Sequence, residues 1–231
     1  MNFHDRHHQN NNNFTEKMAA NLSKTIDAII NHPYILALEK KEINKEKLEI
    51  FICEQYHIIA NDKRNFGLMI SKASDDTSSK LFTACLHTEL NALENLTLMA
   101  EELNIDDKRK IDEYGPLAGC QSYTNYLTKL AVYGSDAEIL TAILVDFPVW
   151  GANCDKMSSA LKKNYGFTNT SCAFLDNFAA PLPREFVEKS NDIVGSAIPT
   201  KEKEMRRAAR LILEYELSFW DTINKHSAIP D

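Results

Sequence analysis

A chain of 231 residues, 44% hydrophobic and 26% charged, carries enough apolar surface for one full core, so a second domain is not required. Its formal charge of -7 at pH 7 and the absence of any Lys/Arg cluster argue against nucleic acid as the main partner. A small molecule or another protein is the expected partner. Met1 to Phe14 is polar and Asn-rich, with no apolar segment behind a positive charge, and reads as a disordered leader, not a signal peptide. No stretch approaches the roughly 20 consecutive apolar residues of a membrane helix. The five cysteines are odd in number and widely spaced, as suits reduced thiols, so a cytoplasmic protein without membrane contact is expected. Cys53, Cys85 and Cys154 read as small core residues.

In chain order the pattern is helical, with no alternation long enough to compete as a strand. A first helix is expected from Thr15 to Ile30, ending near His32-Pro33 because proline disfavours helical geometry in the residue before it. Asn44 is the N-cap expected for a long second helix reaching Ser74, with Leu48, Phe51, Ile58, Ile59, Phe66 and Met69 as its inward stripe. A third helix follows Asp75-Asp76-Thr77 and carries Phe82, Leu86, Leu93 and Leu96 on one face. A polar connection from Asp106 to Gly115-Pro116 leads to a helix over Cys120 to Tyr133. Gly134 is expected to close it in a left-handed conformation, and Ser135 with Glu138 forms a capping box for the next helix. That helix shows Ile139, Ile143, Phe147, Trp150 and Cys154 at helical spacing, with a kink expected at Pro148. Short helices are expected at Ser171 to Ala180 and Pro183 to Gly195, and Pro199-Thr200 should start a long final helix bearing Ile212, Phe219 and Trp220. The fold class is therefore all-α: a leader at 1–14, one helical domain over 15–226 and a tail at 227–231.

Several polar side chains interrupt these apolar stripes. Gln55 and Asp62 break the stripe of the second helix, Glu89 that of the third, Asp146 that of the kinked helix and Glu216 that of the last. A buried carboxylate costs several kcal/mol unless paired, so carboxylates on inward faces of separate helices imply an enclosed polar pocket. Arg64, Arg206, Arg207 and Arg210 are the cations that might instead neutralise them.

His32-Pro33-Tyr34, Glu54-Gln55-Tyr56, Ser122-Tyr123-Thr124, the run Gly134 to Leu144 and Glu216 followed by Phe219-Trp220 resemble the TenA/thiaminase II family of the heme-oxygenase-like superfamily. The resemblance spans residues 15 to 226. It implies a compact bundle with a central pocket, assembled into dimers or tetramers, that hydrolyses thiamine or its aminopyrimidine breakdown product for vitamin salvage. It also implies a cysteine that adds to the pyrimidine ring, an aspartate and tyrosines that hold it, and a glutamate that shuttles protons. Glu216 falls at that glutamate and Tyr123 at one of the tyrosines. Asp146 stands at the cysteine position, Gln55 at the aspartate, and Ile58 and Phe178 at tyrosines.

The altered set still has a chemistry. Asp146 is a weaker nucleophile than a thiolate, but beside Glu216 the two carboxyls would repel when both ionised, raising one pKa and creating an acid and a base. Direct attack by water, with Asp146 and Glu216 catalytic and Gln55, Tyr123, Glu89, Phe178 and Trp150 binding the substrate, is the reading adopted. A noncatalytic binding protein on the same fold is the alternative. A di-iron site at Glu89, Asp146 and Glu216 is the third, weakened because Leu96 stands where related metal sites place a histidine, and His57 and His87 are expected to face solvent. Heme binding lacks a proximal histidine. No cofactor or metal is expected.

Overall fold

A computed structural model of the chain describes residues 14–105, 111 and 113–226, and among these every regular element is helical. Calls made for residues 1–13, 106–110, 112 and 227–231 lie outside the described residues. The helices are α1 (residues 14–21), α2 (Ser23–Ile30), α3 (Pro33–Glu39), α4 (Lys45–Lys72), α5 (Asp76–Glu102), α6 (Ala118–Tyr133), α7 (Asp136–Ala160), α8 (Ala173–Ala179) and α9 (Arg184–Lys225). A π-helical turn over Leu161–Tyr165 ends α7.

Six helices close a ring. Going round it, α4 packs on α5, α5 on α8, α8 on α7, α7 on α9, α9 on α6 and α6 on α4. The segment Asp136–Tyr165 is long and apolar enough to cross a bilayer, yet 67% of its most apolar window is buried inside this ring. Its hydrophobicity is that of a central core helix, which must be apolar on most faces. Phe14, assigned by sequence to the leader, is buried, with the Arg206 guanidinium 5.3 Å above its ring.

Side-chain caps fix the starts of α3, α4, α5 and α7. Asn44 Oδ1 accepts from the Lys47 amide at 3.1 Å, Asp75 Oδ1 from the Ser78 amide at 2.8 Å, and His32 Nδ1 from the Tyr34 amide at 3.2 Å. The capping box at α7 forms as its sequence implies: Ser135 Oγ accepts from the Glu138 amide, and Glu138 Oε2 accepts from the Ser135 amide at 2.9 Å.

Three boundaries differ from the sequence reading. The first helix breaks at Leu22, whose amide is shared between the carbonyls of Met18 and Ala19, both at 3.1 Å. Gly134 is extended, with φ -76° and ψ 157°, not left-handed. Glycine is required there by close approach: a Cβ would lie 2.6 Å from the Leu130 carbonyl oxygen, while the Gly134 amide donates to that same oxygen at 2.7 Å. Finally, the two expected C-terminal helices are one 42-residue helix that runs through Pro199. Proline forfeits one helical hydrogen bond and crowds the carbonyl four residues back, but Val194 and Met205 on either side are fully buried, and that packing outweighs the local signal.

Ser135→Ala should lower stability by about 1 kcal/mol, a fall in Tm of roughly 2 to 4 °C for a chain of this size. Gly134→Ala should cost more, because its methyl group must displace backbone. Thermal unfolding followed by circular dichroism checks both.

Candidate active site

Four helices of the ring each send one carboxyl group to a common place: Asp62 from α4, Glu89 from α5, Asp146 from α7 and Glu216 from α9. They line a partly open cavity of about 50 Å³ together with Gln55, Tyr123, Trp150 and Phe178. All seven side chains proposed from sequence therefore meet in one space. The four carboxyls are 6% exposed or less. Among the described residues no Lys, Arg or His side chain lines the cavity, although the Lys63 charge acts on Glu89 from outside that lining. The arginines considered as neutralising partners sit elsewhere: Arg206 pairs with Glu202 and Arg210 with Glu214, both along α9, while Arg64 and Arg207 are exposed.

Tyr123 Oη donates to Asp146 Oδ2 at 2.7 Å, and Trp220 Nε1 donates to Glu216 Oε1 at 3.1 Å from one turn further along α9. Each carboxyl is thus held by one oxygen. Asp146 Oδ1 and Glu216 Oε2 are buried without a partner that can donate to them. The two groups nonetheless lie within hydrogen-bonding reach of each other. Two ionised carboxylates cannot bond, whereas a proton carried by Glu216 and donated to Asp146 satisfies both. Burial, then the Asp146 charge, pushes Glu216 well above the usual carboxylate range. Burial raises Asp146 to about 6, opposed by the bonds from Tyr123 and Glu216. Tyr123 is raised further above its ordinary value, by burial and then by Asp146, so it remains a donor.

Asp62 was read in the sequence as an interruption of the α4 stripe but not as a site residue. It is held at Oδ1 by the Thr124 hydroxyl and by Asn65 Nδ2, the latter at 3.1 Å. Burial raises it to about 7 despite those bonds, with Asp146 adding to the effect. Glu89 is raised well above its usual range by burial, then by the charge of Asp62. Glu54 provides the contrast: fully buried, it accepts from Tyr114 Oη at 2.7 Å, the Leu117 amide at 2.6 Å and Gln121 Nε2 at 2.9 Å. That carboxyl is satisfied and ties the approach to α6 onto α4.

The remaining walls are aromatic. Trp150 stands 6.1 Å from Phe178 and 6.2 Å from Phe219, edge to face in both cases. Gly151 sets the distance between α7 and α8, since a Cβ there would lie 2.7 Å from the Phe178 carbonyl oxygen. Phe147 and Phe178 also line an outer cleft of about 860 Å³ and so partition it from the cavity. Trp220, in contrast, is fully buried core. None of the five cysteines lines the cavity, and all are buried. His87 is exposed as expected, but His57 is half-buried and stacks on Tyr114 at 6.1 Å, so it is not a solvent-facing residue. Among the described residues no group of three or more His, Cys, Asp or Glu side chains is gathered closely enough to hold a metal ion.

Residues 19–225, nearly the whole helical ring, match the sequence profile of the TENA/THI-4/PQQC family. The chain belongs to that family. An aminopyrimidine aminohydrolase from Helicobacter pylori is 22% identical over 203 residues, covering 83% of this chain and 89% of that protein. Another from Halalkalibacterium halodurans is 27% identical over 119 residues, covering 51% of this chain and about half, 53%, of that protein. A TenA homologue from Pyrococcus furiosus superposes with a TM-score of 0.73 at 22% identity, over 91% of this chain and 99% of that one. A heme oxygenase-like domain from Shewanella denitrificans gives 0.71 at 18% identity, over 91% of each chain. At such identities the superpositions show a shared fold, the heme-oxygenase-like helical bundle.

The raised acids predict a pH dependence of stability. Unfolded aspartates ionise near pH 4, whereas folded Asp146 and Asp62 ionise near 6 and 7. The folded state therefore binds more protons than the unfolded chain across that window, and stability falls as pH rises through it. Asp62→Asn should flatten this decline and raise Tm at neutral pH, because a neutral amide replaces a buried charge. Thermal melts at half-unit pH steps for both proteins measure the effect.

Proposed function

We propose that this chain binds a small heteroaromatic, aminopyrimidine-like ligand in the cavity and hydrolyses it without a cysteine nucleophile, in thiamine-type salvage. The observation that carries the reading is the Asp146/Glu216 pair: two buried carboxyls from different helices lining one cavity, each anchored at one oxygen and each with a second, buried oxygen that no protein donor holds. Trp150, Phe178 and Phe219 offer flat apolar faces to a ring, and the aminopyrimidine aminohydrolases among the relatives supply the substrate class.

With Tyr123 holding Asp146 Oδ2, Oδ1 becomes the base toward a water molecule once the bound substrate draws the Glu216 proton toward its leaving nitrogen. The water oxygen bonds to the substrate carbon that carries the leaving nitrogen while its proton passes to Asp146. The carbon–nitrogen bond breaks, and Glu216 gives its proton to the departing amine. The proton on Asp146 then returns to Glu216 through their mutual contact, and the balance is water consumed and amine released. Unequal pKa values in neighbouring carboxyls are what such a division into base and acid requires.

Incubation with the aminopyrimidine and with thiamine, followed by chromatography of the products, tests the assignment. Asp146→Asn and Glu216→Gln should each lower kcat/KM by at least about 100-fold, the range in which positioned acids and bases act, with no further loss of comparable size in the double variant. Wild-type rates equal to those of the double variant would remove hydrolysis of these substrates. Ligand binding retained at those rates would then favour the noncatalytic binding protein.

A further inference from the structure

The cavity, at about 50 Å³, is far smaller than the roughly 300 to 1,000 Å³ of pockets that take small molecules. A ring therefore enters only when a wall moves. Two larger spaces adjoin it: the outer cleft of about 860 Å³, which lies within that range, and a second cleft of about 450 Å³ that meets the first at Thr88, Leu182 and Pro183. Among the described residues Phe147 alone lines the cavity and both clefts.

Phe178, the other ring shared by the cavity and the outer cleft, is held in place. It stands 5.3 Å from Phe174 and 6.1 Å from Trp150, and its carbonyl oxygen lies against Gly151. Two residues earlier, Asp176 ties α8 to the end of α7 and the π-helical turn, accepting from Ser158 Oγ at 2.5 Å and from Lys162 Nζ at 2.7 Å. Phe147 has no such restraint. It is half-buried, and no other aromatic ring among the described residues stands within stacking reach of it. Pro148, the next residue, brings no N–H to the Leu144 carbonyl, so the turn of α7 that carries Phe147 lacks one of its helical bonds. Leu144 and Pro148 both line the outer cleft, which places the weakened turn in its wall.

We infer that the outer cleft is the entrance to the cavity and that Phe147 is its gate, the side chain that determines what passes. Rotation of the Phe147 ring into the cleft joins the two spaces along the fixed Phe178. The inference rests on the cavity receiving a ring, as proposed above, and adds the path and the residue that controls it.

Acrylamide quenching of tryptophan fluorescence in the whole chain tests it without a substrate. Trp150 lines the cavity and neither cleft, whereas Trp220 is fully buried, and their lifetimes separate the two signals. Phe147→Ala should raise the quenching of Trp150 several-fold and leave Trp220 shielded. Ala180→Cys places a thiol at an exposed position of the cleft wall, while all five native cysteines are buried; its modification with benzylmaleimide should lower the quenching of Trp150. Unchanged quenching of Trp150 in Phe147→Ala, or an equal rise at both tryptophans, the mark of general loosening, overturns the gate. Unchanged quenching after modification overturns the cleft as entrance. Should Phe147→Ala not fold, Phe147→Leu, which keeps an apolar side chain but removes the ring, decides in the same way. Stopped-flow association of 4-aminopyrimidine should also be several-fold faster in the Phe147 variant, because entry that waits on a conformational step is slow; an equal rate overturns the gate. Wild type that does not bind this ring, with the quenching results as expected, removes the ligand class and leaves the entrance and its gate standing.

Discussion

The structure depends on four carboxyl groups sharing a cavity whose described lining residues include no cation; only Lys63, outside that lining, acts on one of them, Glu89. An ionised carboxylate taken out of water costs several kcal/mol even after relaxation, and the usual remedy, an arginine or lysine at contact distance, is absent from this cavity. What replaces it is proton retention. Glu216 and Glu89 are held well above their ordinary range, and Asp146 and Asp62 become the acceptors beside them. Each of these groups comes from a different helix of the ring, so the fold brings them together and the protons let them remain there.

That arrangement ties stability to function. A site neutralised by salt bridges would have its hydrogen-bonding capacity spent; here the bonds from Tyr123, Trp220, Thr124 and Asn65 hold Asp146, Glu216 and Asp62 each by one oxygen. The aromatic lining acts in the same direction, since Trp150 and Phe178 exclude water and so strengthen every polar interaction inside. The packing of α8 on α7 across Gly151 holds Phe178 in that wall.

Much of this was legible in the sequence because helical periodicity exposes a misplaced polar residue. Gln55, Glu89, Asp146 and Glu216 each stand where a stripe calls for an apolar side chain, and all four line the cavity. Caps at Asn44, Asp75 and Ser135 were equally plain, because their chemistry is local. The functional weight of Asp62 was less visible. It carried the same signal, but it acquires its meaning from Thr124, which is 62 positions away in the chain. Pro199 and Gly134 misled for related reasons. Each has a common local meaning, helix start or left-handed cap, and in each case a tertiary or close-approach constraint decided otherwise.

Protonation of these carboxyls is the central claim, and infrared spectroscopy observes it directly. At neutral pH the protein should show the carbonyl stretch of buried protonated carboxylic acids, insensitive to solvent exchange on a short timescale and reduced in Glu216→Gln. A spectrum in which every carboxyl is ionised at that pH, in wild type and variant alike, would contradict the shared-proton cavity and the acid–base chemistry built on it.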